Sequence, residues 1–337
     1  MTRVVVNSQE SRVFWGLVFL FVFFSLISPT FRSSENLRNL FNQQSVLGIA
    51  TIGMSIVILT GGIDLSVGSI MALAGVYYSN LIRGYMFTYM PPFMKVYEEA
   101  GKVSPVFPEP FSLVFAVGLV SLLGVLTGLM VAKLQAPPFV VTLGISVFAR
   151  GLAYSMTSGQ PIFSVPDYIV NAGFSTVAGV PVLTVIWFLI VVLFSFLLKY
   201  SSLGRNLYVI GGNPEAAKLT GINTLGVTVF AYWSSSVLAA LAGILLVGRM
   251  ASADPRVASG TTLEAIAAAV IGGFSLSGGK GNLVGTLGGV LLIGIIINIL
   301  SILNVEFYTQ QVIKGLVIIG MVALISAGER PLTRGLW

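Results

Sequence analysis

Apolar residues run along this chain in long blocks, and polar residues are confined to short breaks between them. Ten blocks stand out, at 13–27, 43–60, 66–82, 111–133, 139–157, 181–199, 224–247, 262–274, 283–303 and 309–327. Most approach the roughly 20 residues that a helix needs to cross a hydrocarbon core. Lipid offers backbone amides no hydrogen-bond partner, so such blocks fold as helices. The eighth is short and reads as a partial or tilted helix. The pattern predicts an all-α fold, a polytopic transmembrane bundle of about ten spans forming one domain over 1–337. Arg3 and Arg12 precede the first block and Ser28-Pro29 ends it. No small-residue cleavage site follows, so this block reads as a retained span and not a signal peptide.

Composition sharpens the class. Of 337 residues, 55% are hydrophobic and 9% charged, with a mean hydropathy of +0.95. Soluble domains carry about 25% charged residues, and this length leaves no room for a sizeable soluble domain beside the spans. The net charge of +6 sits in short loops between apolar blocks, where it reflects cytoplasmic Lys and Arg and not nucleic-acid binding. With no Cys and no His, thiolate metal sites, disulfides and the commonest general base are absent. No catalytic residues and no metal site are expected.

Charge placement orients the bundle. With the N-terminus inside, the inner loops hold Lys133, then Lys199, Arg205 and Lys218, then Lys280, with Arg330 and Arg334 on the tail. The outer segment 158–179 has Asp167 and no Lys or Arg, and the outer loop 84–110 sets Lys95 and Lys102 against Glu98, Glu99 and Glu109. This is the positive-inside asymmetry, and it predicts both termini in the cytoplasm. The loop 84–110 is long for a connection between membrane helices and reads as a docking surface or a folded cap.

Within this frame a few stretches carry chemistry. The sequence TGGIDLSVGS at 60–69 breaks the apolar run with Gly61 and Gly62 and places Asp64, the only acidic residue between Glu35 and Glu98, before Ser66. Carboxylates in or beside hydrocarbon are costly and mark functional sites. The charge count places Asp64 near the cytoplasmic end of spans two and three, where it reads as a cap or gate element at the helix beginning near 65–66. The inner loop 200–223 contains a helix signature: Asn213 as cap, Pro214 in the first turn, Glu215 at the positive end and Gly221 as the left-handed stop. That two-turn helix needs a surface to rest on, either the floor of the membrane domain or a cytoplasmic partner. Arg150, Glu264 and Lys314 fall at similar outer-leaflet depth, predicting an ion pair of Glu264 with one of the two bases. Gln43, Gln44, Trp233, Asn298 and Gln310 are polar or aromatic groups suited to lining a solute path, although helix–helix hydrogen bonding explains them as well. Gly281, Gly285, Gly289 and Gly294 read as close helix packing. A nucleotide P-loop requires G-x-x-x-x-G-K-[ST], and Gly278-Gly279-Lys280-Gly281 does not supply it.

TGGIDLSVGS, the run APPFVVTLG at 136–144, GRNLYVIGGNPEAAKLTGIN at 204–223 and LEAIAAAVIGGFSLSGGKGNLVGTLGG at 263–289 occur in this order. Together they resemble the ribose-type sugar permeases of ATP-binding-cassette importers, the branched-chain and ribose permease family, over almost the whole chain. The resemblance implies a multi-pass permease subunit of the bacterial inner membrane that moves a monosaccharide such as ribose inward and is not itself an enzyme. It implies no cofactor in this chain, with ATP and Mg on a cytoplasmic ATP-binding subunit. An extracytoplasmic sugar-binding protein and a second permease copy, identical or paralogous, complete the implied partners, in a setting of membrane lipid. The ATPase-coupling loop would hold Gly204, Arg205, Gly211, Gly212, Asn213, Glu215, Ala216, Ala217 and Gly221. The outer loop 84–110 is longer than the family pattern. A nucleoside or signalling furanone carried by the same machinery, and an ion-driven secondary transporter, are the alternatives.

Overall fold

In the computed structural model the described residues are 8–83, 109–163, 165 and 167–328. The predicted outer loop 84–110, except its last two residues, lies outside them, as do Arg330 and Arg334. Each predicted apolar block lies on a helix: α1 (Ser8–Ile27), α2 (Ser34–Leu59), α3 (Val67–Arg83), α4 (Glu109–Ala132), α5 (Pro138–Thr157), α7 (Val182–Tyr200), α10 (Thr224–Met250), α11 (Thr261–Ile271), α12 (Leu283–Ile302) and α13 (Phe307–Gly328). Three short helices lie between these: α6 (Asp167–Phe174), α8 (Ser202–Gly212) and α9 (Pro214–Leu219). The strands β1 (Thr176–Val177) and β2 (Val180–Pro181) form a small antiparallel hairpin. Among the described residues six helices are long and apolar enough to cross a membrane, at Ser34–Leu59, Phe111–Ala132, Pro138–Thr157, Val182–Tyr200, Thr224–Met250 and Leu283–Ile302. The chain is therefore a mostly helical, polytopic membrane protein.

α2 is the central post. Every residue from Gln44 to Leu59 is buried, as expected of a helix surrounded by other helices. Its hydroxyls bond its own preceding turns, Thr51 Oγ1 to the Leu47 carbonyl and Ser55 Oγ to the Thr51 carbonyl, both at 2.7 Å. The hydroxyls of this stretch then need no water. α10 packs on α2, α3 and α4, while α11 and α12 pack together and against α2. α4, α5 and α7 turn Leu122, Val140 and Leu193 outward, the apolar exterior a lipid solvent requires.

α2 begins nine residues before the predicted block. Its first turns, SENLRNLFN, are polar, so the hydropathy pattern ends where the helix does not. Ser33 caps it by accepting from the Asn36 amide at 3.2 Å, and Asn36 exchanges amide hydrogen bonds with Asn298 of α12 at 3.0 and 2.9 Å. The segment 200–223 also holds more helix than the single predicted one. α8 buries Leu207 and Ile210 and is capped by Ser201, a pattern masked by its apolar fringe.

Candidate functional site

Three places bring the predicted polar residues together. The first is the break between α2 and α3. Gly61 adopts φ +80°, a left-handed turn open to glycine at no steric cost, and its amide donates to the Ile58 carbonyl at 2.9 Å. The turn swings Asp64 inward until it is 1% exposed. Its Oδ1 accepts from the Ser66 amide at 2.9 Å and the Ser66 hydroxyl at 2.5 Å, and its Oδ2 from the Ser235 hydroxyl of α10 at 2.7 Å. Three donors satisfy a carboxylate that would be costly unpaired in an apolar interior. Asp64 serves Ser66, the residue just before α3, whereas the Gly68 amide inside the helix donates to Thr262 Oγ1 of α11 at 3.0 Å. Tyr232 of α10 packs against the same turn, where a Cβ on Gly62 would lie 2.3 Å from its hydroxyl.

The second place is the pair α8–α9. Asn213 Oδ1 accepts from the amides of Glu215 and Ala216, both at 3.0 Å, with Pro214 at the first helical position. Gly221, at φ +77°, stops the helix, and the Ile222 amide returns to the Ala217 carbonyl at 3.1 Å. Ala217 is buried, while Glu215, Ala216 and Leu219 face outward, Leu219 at 88% exposure. Arg205 and Gly212 are exposed on α8, and Gly204 is buried beneath Ser201 with its amide donating to Ser201 Oγ at 2.9 Å. Gly211 is where α8 meets the floor. A Cβ there would lie 1.8 Å from the Leu59 carbonyl oxygen and 2.4 Å from the Gly279 amide nitrogen. Gly279 itself donates to the Leu59 carbonyl at 2.9 Å, and Tyr208 donates to the Gly281 carbonyl at 2.9 Å. α8 is thus seated on the end of α2 and on the α11–α12 connection at once. A cavity of about 360 Å³ opens beside it, and Gly61, Gly62, Gln135, Pro214, Lys218 and Tyr232 are among its lining residues.

The third place lies at the opposite end of α2, about 22 Å from Leu59 at 1.5 Å per residue. A cavity of about 390 Å³ is bounded by α2, α10, α11, α12 and α13, with Gln43, Gln44, Glu264, Gln310 and Lys314 in its wall. Lys314 Nζ donates to Glu264 Oε1 at 2.7 Å, each side chain 17% exposed. Gln310 is tied to the Val305 carbonyl at 2.8 Å. Arg150 departs from the predicted cluster. Its guanidinium donates to the carbonyls of Pro255 and Val257 at 2.6 and 2.8 Å, because α5 packs on α3 and α4, away from this cavity. The same loop holds the exposed pair Arg256–Asp254 at 2.8 Å, and hydrogen bonding from Arg256 keeps the Asp254 carboxyl below the usual carboxylate range. Asn298 is engaged by Asn36, and Trp233, 40% exposed, stands beside Phe230. Neither lines the cavity. Arg249 does, and sequence reasoning missed it because it lies two residues beyond the predicted end of its span. The signal was available: a lone Arg at an apolar helix end, where a longer helix carries it inward.

Residues 36–322 match the family described as the permease component of branched-chain amino acid transport systems. The chain belongs to this family. The permease is 38% identical to the ribose import permease protein RbsC of Haemophilus influenzae, over 92% of this chain and 91% of that protein. It is 37% identical to RbsC of Bacillus subtilis, over 94% and 92%. It is also 35% identical to the galactose/methyl galactoside import permease protein MglC of Escherichia coli, over 94% of both chains. No solved structure matches the permease.

Proposed function

We propose that this chain is the membrane-embedded subunit of an ATP-binding-cassette importer that carries a monosaccharide, ribose in the first instance, into the cell. The observation that carries the reading is near-full-length similarity to three sugar import permeases, two of them named for ribose. The relative named for galactose favours a hexose as the second reading. In this reading the ten helices that carry the apolar blocks, α11 included, make a ten-span bundle in the bacterial inner membrane with both termini cytoplasmic. A cytoplasmic ATPase supplies ATP and Mg, an extracytoplasmic binding protein delivers the sugar, and a second permease copy completes the path.

The geometry at α8–α9 supports a coupling role. A short capped helix presents Glu215, Ala216 and Leu219 outward, while the helix before it is wedged by Gly211 against α2 and the α11–α12 connection. A push on α9 is transmitted through α8 to backbone, not to adjustable side chains. The cavity shared by Pro214 and Lys218 with Gly61 and Gly62 puts the Asp64 turn beside the same lever. Asp64 then acts as a hinge fastener joining α3 to α10. The test is reconstitution of the chain with its ATPase and binding protein in proteoliposomes. ATP-dependent accumulation of radiolabelled D-ribose, insensitive to ionophores, is expected. Uptake that follows an ion gradient without ATP would refute the importer reading.

A further inference from the structure

We propose that the cavity of about 390 Å³ between α2, α10, α11, α12 and α13 is a solute-binding site of the membrane domain itself, taking a single small polyol that Gln44 and Arg249 contact. This rests on the sugar-import reading above. The volume falls at the low end of the roughly 300–1,000 Å³ of small-molecule sites, which suits one monosaccharide.

Gln44 Oε1 and the Arg249 guanidinium, both in its wall, lack partners among the described residues. Gln44 is 3% exposed, yet its Oε1 is buried without a hydrogen bond, and buried side-chain acceptors are nearly always satisfied. Arg249, half-buried at the end of α10, makes no hydrogen bond or ion pair among the described residues. The other strong charges in the wall, Lys314 and Glu264, are already paired. Chemistry then selects the ligand. A carboxamide oxygen only accepts and a guanidinium only donates, so one molecule must donate to Gln44 and accept from Arg249. Hydroxyl groups do both. A carboxylate would satisfy Arg249 and leave the Gln44 oxygen orphaned. A cation would face Arg249 and Lys314 with only Glu264 to offset them.

Gly294 of α12 fixes where the amide sits. A Cβ at Gly294 would lie 2.4 Å from Gln44 Cγ, so Gln44 occupies the space that a side chain on α12 would take. Gly294→Ala therefore displaces the amide without altering Arg249 or the cavity's charge.

The experiment is equilibrium binding of tritiated D-ribose and D-galactose to the full-length permease in lipid nanodiscs, without binding protein or ATPase. Wild type is expected to bind one of the two. Arg249→Met, Gln44→Leu and Gly294→Ala are each expected to weaken that binding roughly tenfold or more, the loss of about one hydrogen bond to a charged or buried group. Should Arg249→Met lower the melting temperature, Arg249→Lys keeps charge and stem but not the planar fork. Weakened binding at wild-type stability in the lysine variant supports the assignment, and unchanged binding overturns the role of the guanidinium. Absence of binding to both sugars, or binding that survives Arg249→Met and Gln44→Leu alike, overturns the site. Binding of D-gluconate in place of the neutral sugars overturns the polyol assignment. Failure of the complete wild-type importer to take up any sugar with ATP would instead strike the functional reading, so the two failures are separable.

Discussion

Adjacent glycines in α8 should answer oppositely to the same substitution. At Gly211 a Cβ would sit 1.8 Å from the Leu59 carbonyl oxygen and 2.4 Å from the Gly279 nitrogen, both backbone atoms that cannot rotate away. Gly211→Ala must lift α8 off the end of α2. Overpacking of this kind costs about 1–3 kcal/mol. Spreading the contact also strains the 2.9 Å bond from Gly279 to Leu59, worth about 1 kcal/mol. Against this, alanine is a better helix former than glycine by about 1 kcal/mol. The net is a loss of roughly 1–3 kcal/mol for Gly211→Ala. At Gly212 nothing lies within 4 Å of the added Cβ, so Gly212→Ala should be neutral or stabilising by up to about 1 kcal/mol. Thermal unfolding of the two purified variants, followed by ATP-driven uptake and ATPase stimulation in the reconstituted importer, reads both consequences. Gly211→Ala should melt lower and, if α8 transmits the stroke as proposed, should stimulate ATPase with little uptake. Equal stability and equal uptake in the two variants would refute the claim that α8 is seated backbone to backbone.

Other expectations follow from the same contacts. Asp64→Ala strands the Ser66 amide and the Ser66 and Ser235 hydroxyls and should cost about 3 kcal/mol or more, whereas Asp64→Asn keeps an acceptor and should retain the fold and much of the uptake. A well-folded but inactive Asn variant would show that the charge itself is required. Asn213→Ala removes the cap of α9, at about 1 kcal/mol. Hydrogen exchange should then quicken at the Glu215 and Ala216 amides, and unchanged protection would deny the cap its role. Ala216→Trp adds bulk on an outward face and should uncouple ATPase activity from uptake, and normal coupling would remove α9 from the partner interface. Glu264→Gln leaves Lys314 without its ion partner and should lower both melting temperature and transport, while wild-type uptake would exclude a gating role.

Long apolar blocks dictate helices so strongly in a lipid setting that every block was legible, and so was the cap at Asn213, because an Asn-Pro-Glu sequence names its own first turn. Hydropathy loses its hold where helices continue into polar residues. The first turns of α2 hold Asn36 and Asn42, whose amides go to Asn298 and the Gly173 carbonyl, partners far off in the chain. The same blindness hid Arg249, counted outside a span that in fact carries it to a cavity wall. Arg150 and Asn298 show the converse. Position along a helix follows from the chain, but which face each side chain points to depends on packing between helices remote in sequence. Gln44, Gln310, Glu264 and Lys314 were each recognisable as polar groups in apolar surroundings. Their meeting in one cavity required the fold.

The fastening of α3 bears on how such a chain is made. Asp64 finds the second of its two hydroxyl donors 171 residues downstream at Ser235, and the Gly68 amide finds its acceptor 194 residues downstream at Thr262. On the ten-span proposal, the hairpin of α2 and α3 enters the bilayer during synthesis long before either partner has left the ribosome. Until then a carboxylate and a helix amide must stay hydrated at the membrane surface or be sheltered by the insertion machinery. Final docking of α3 is therefore a late event, set by arrival of α10 and α11. Nascent chains arrested before Ser235 should leave Asp64 open to water and the hairpin open to protease, and chains arrested well beyond Thr262 should not.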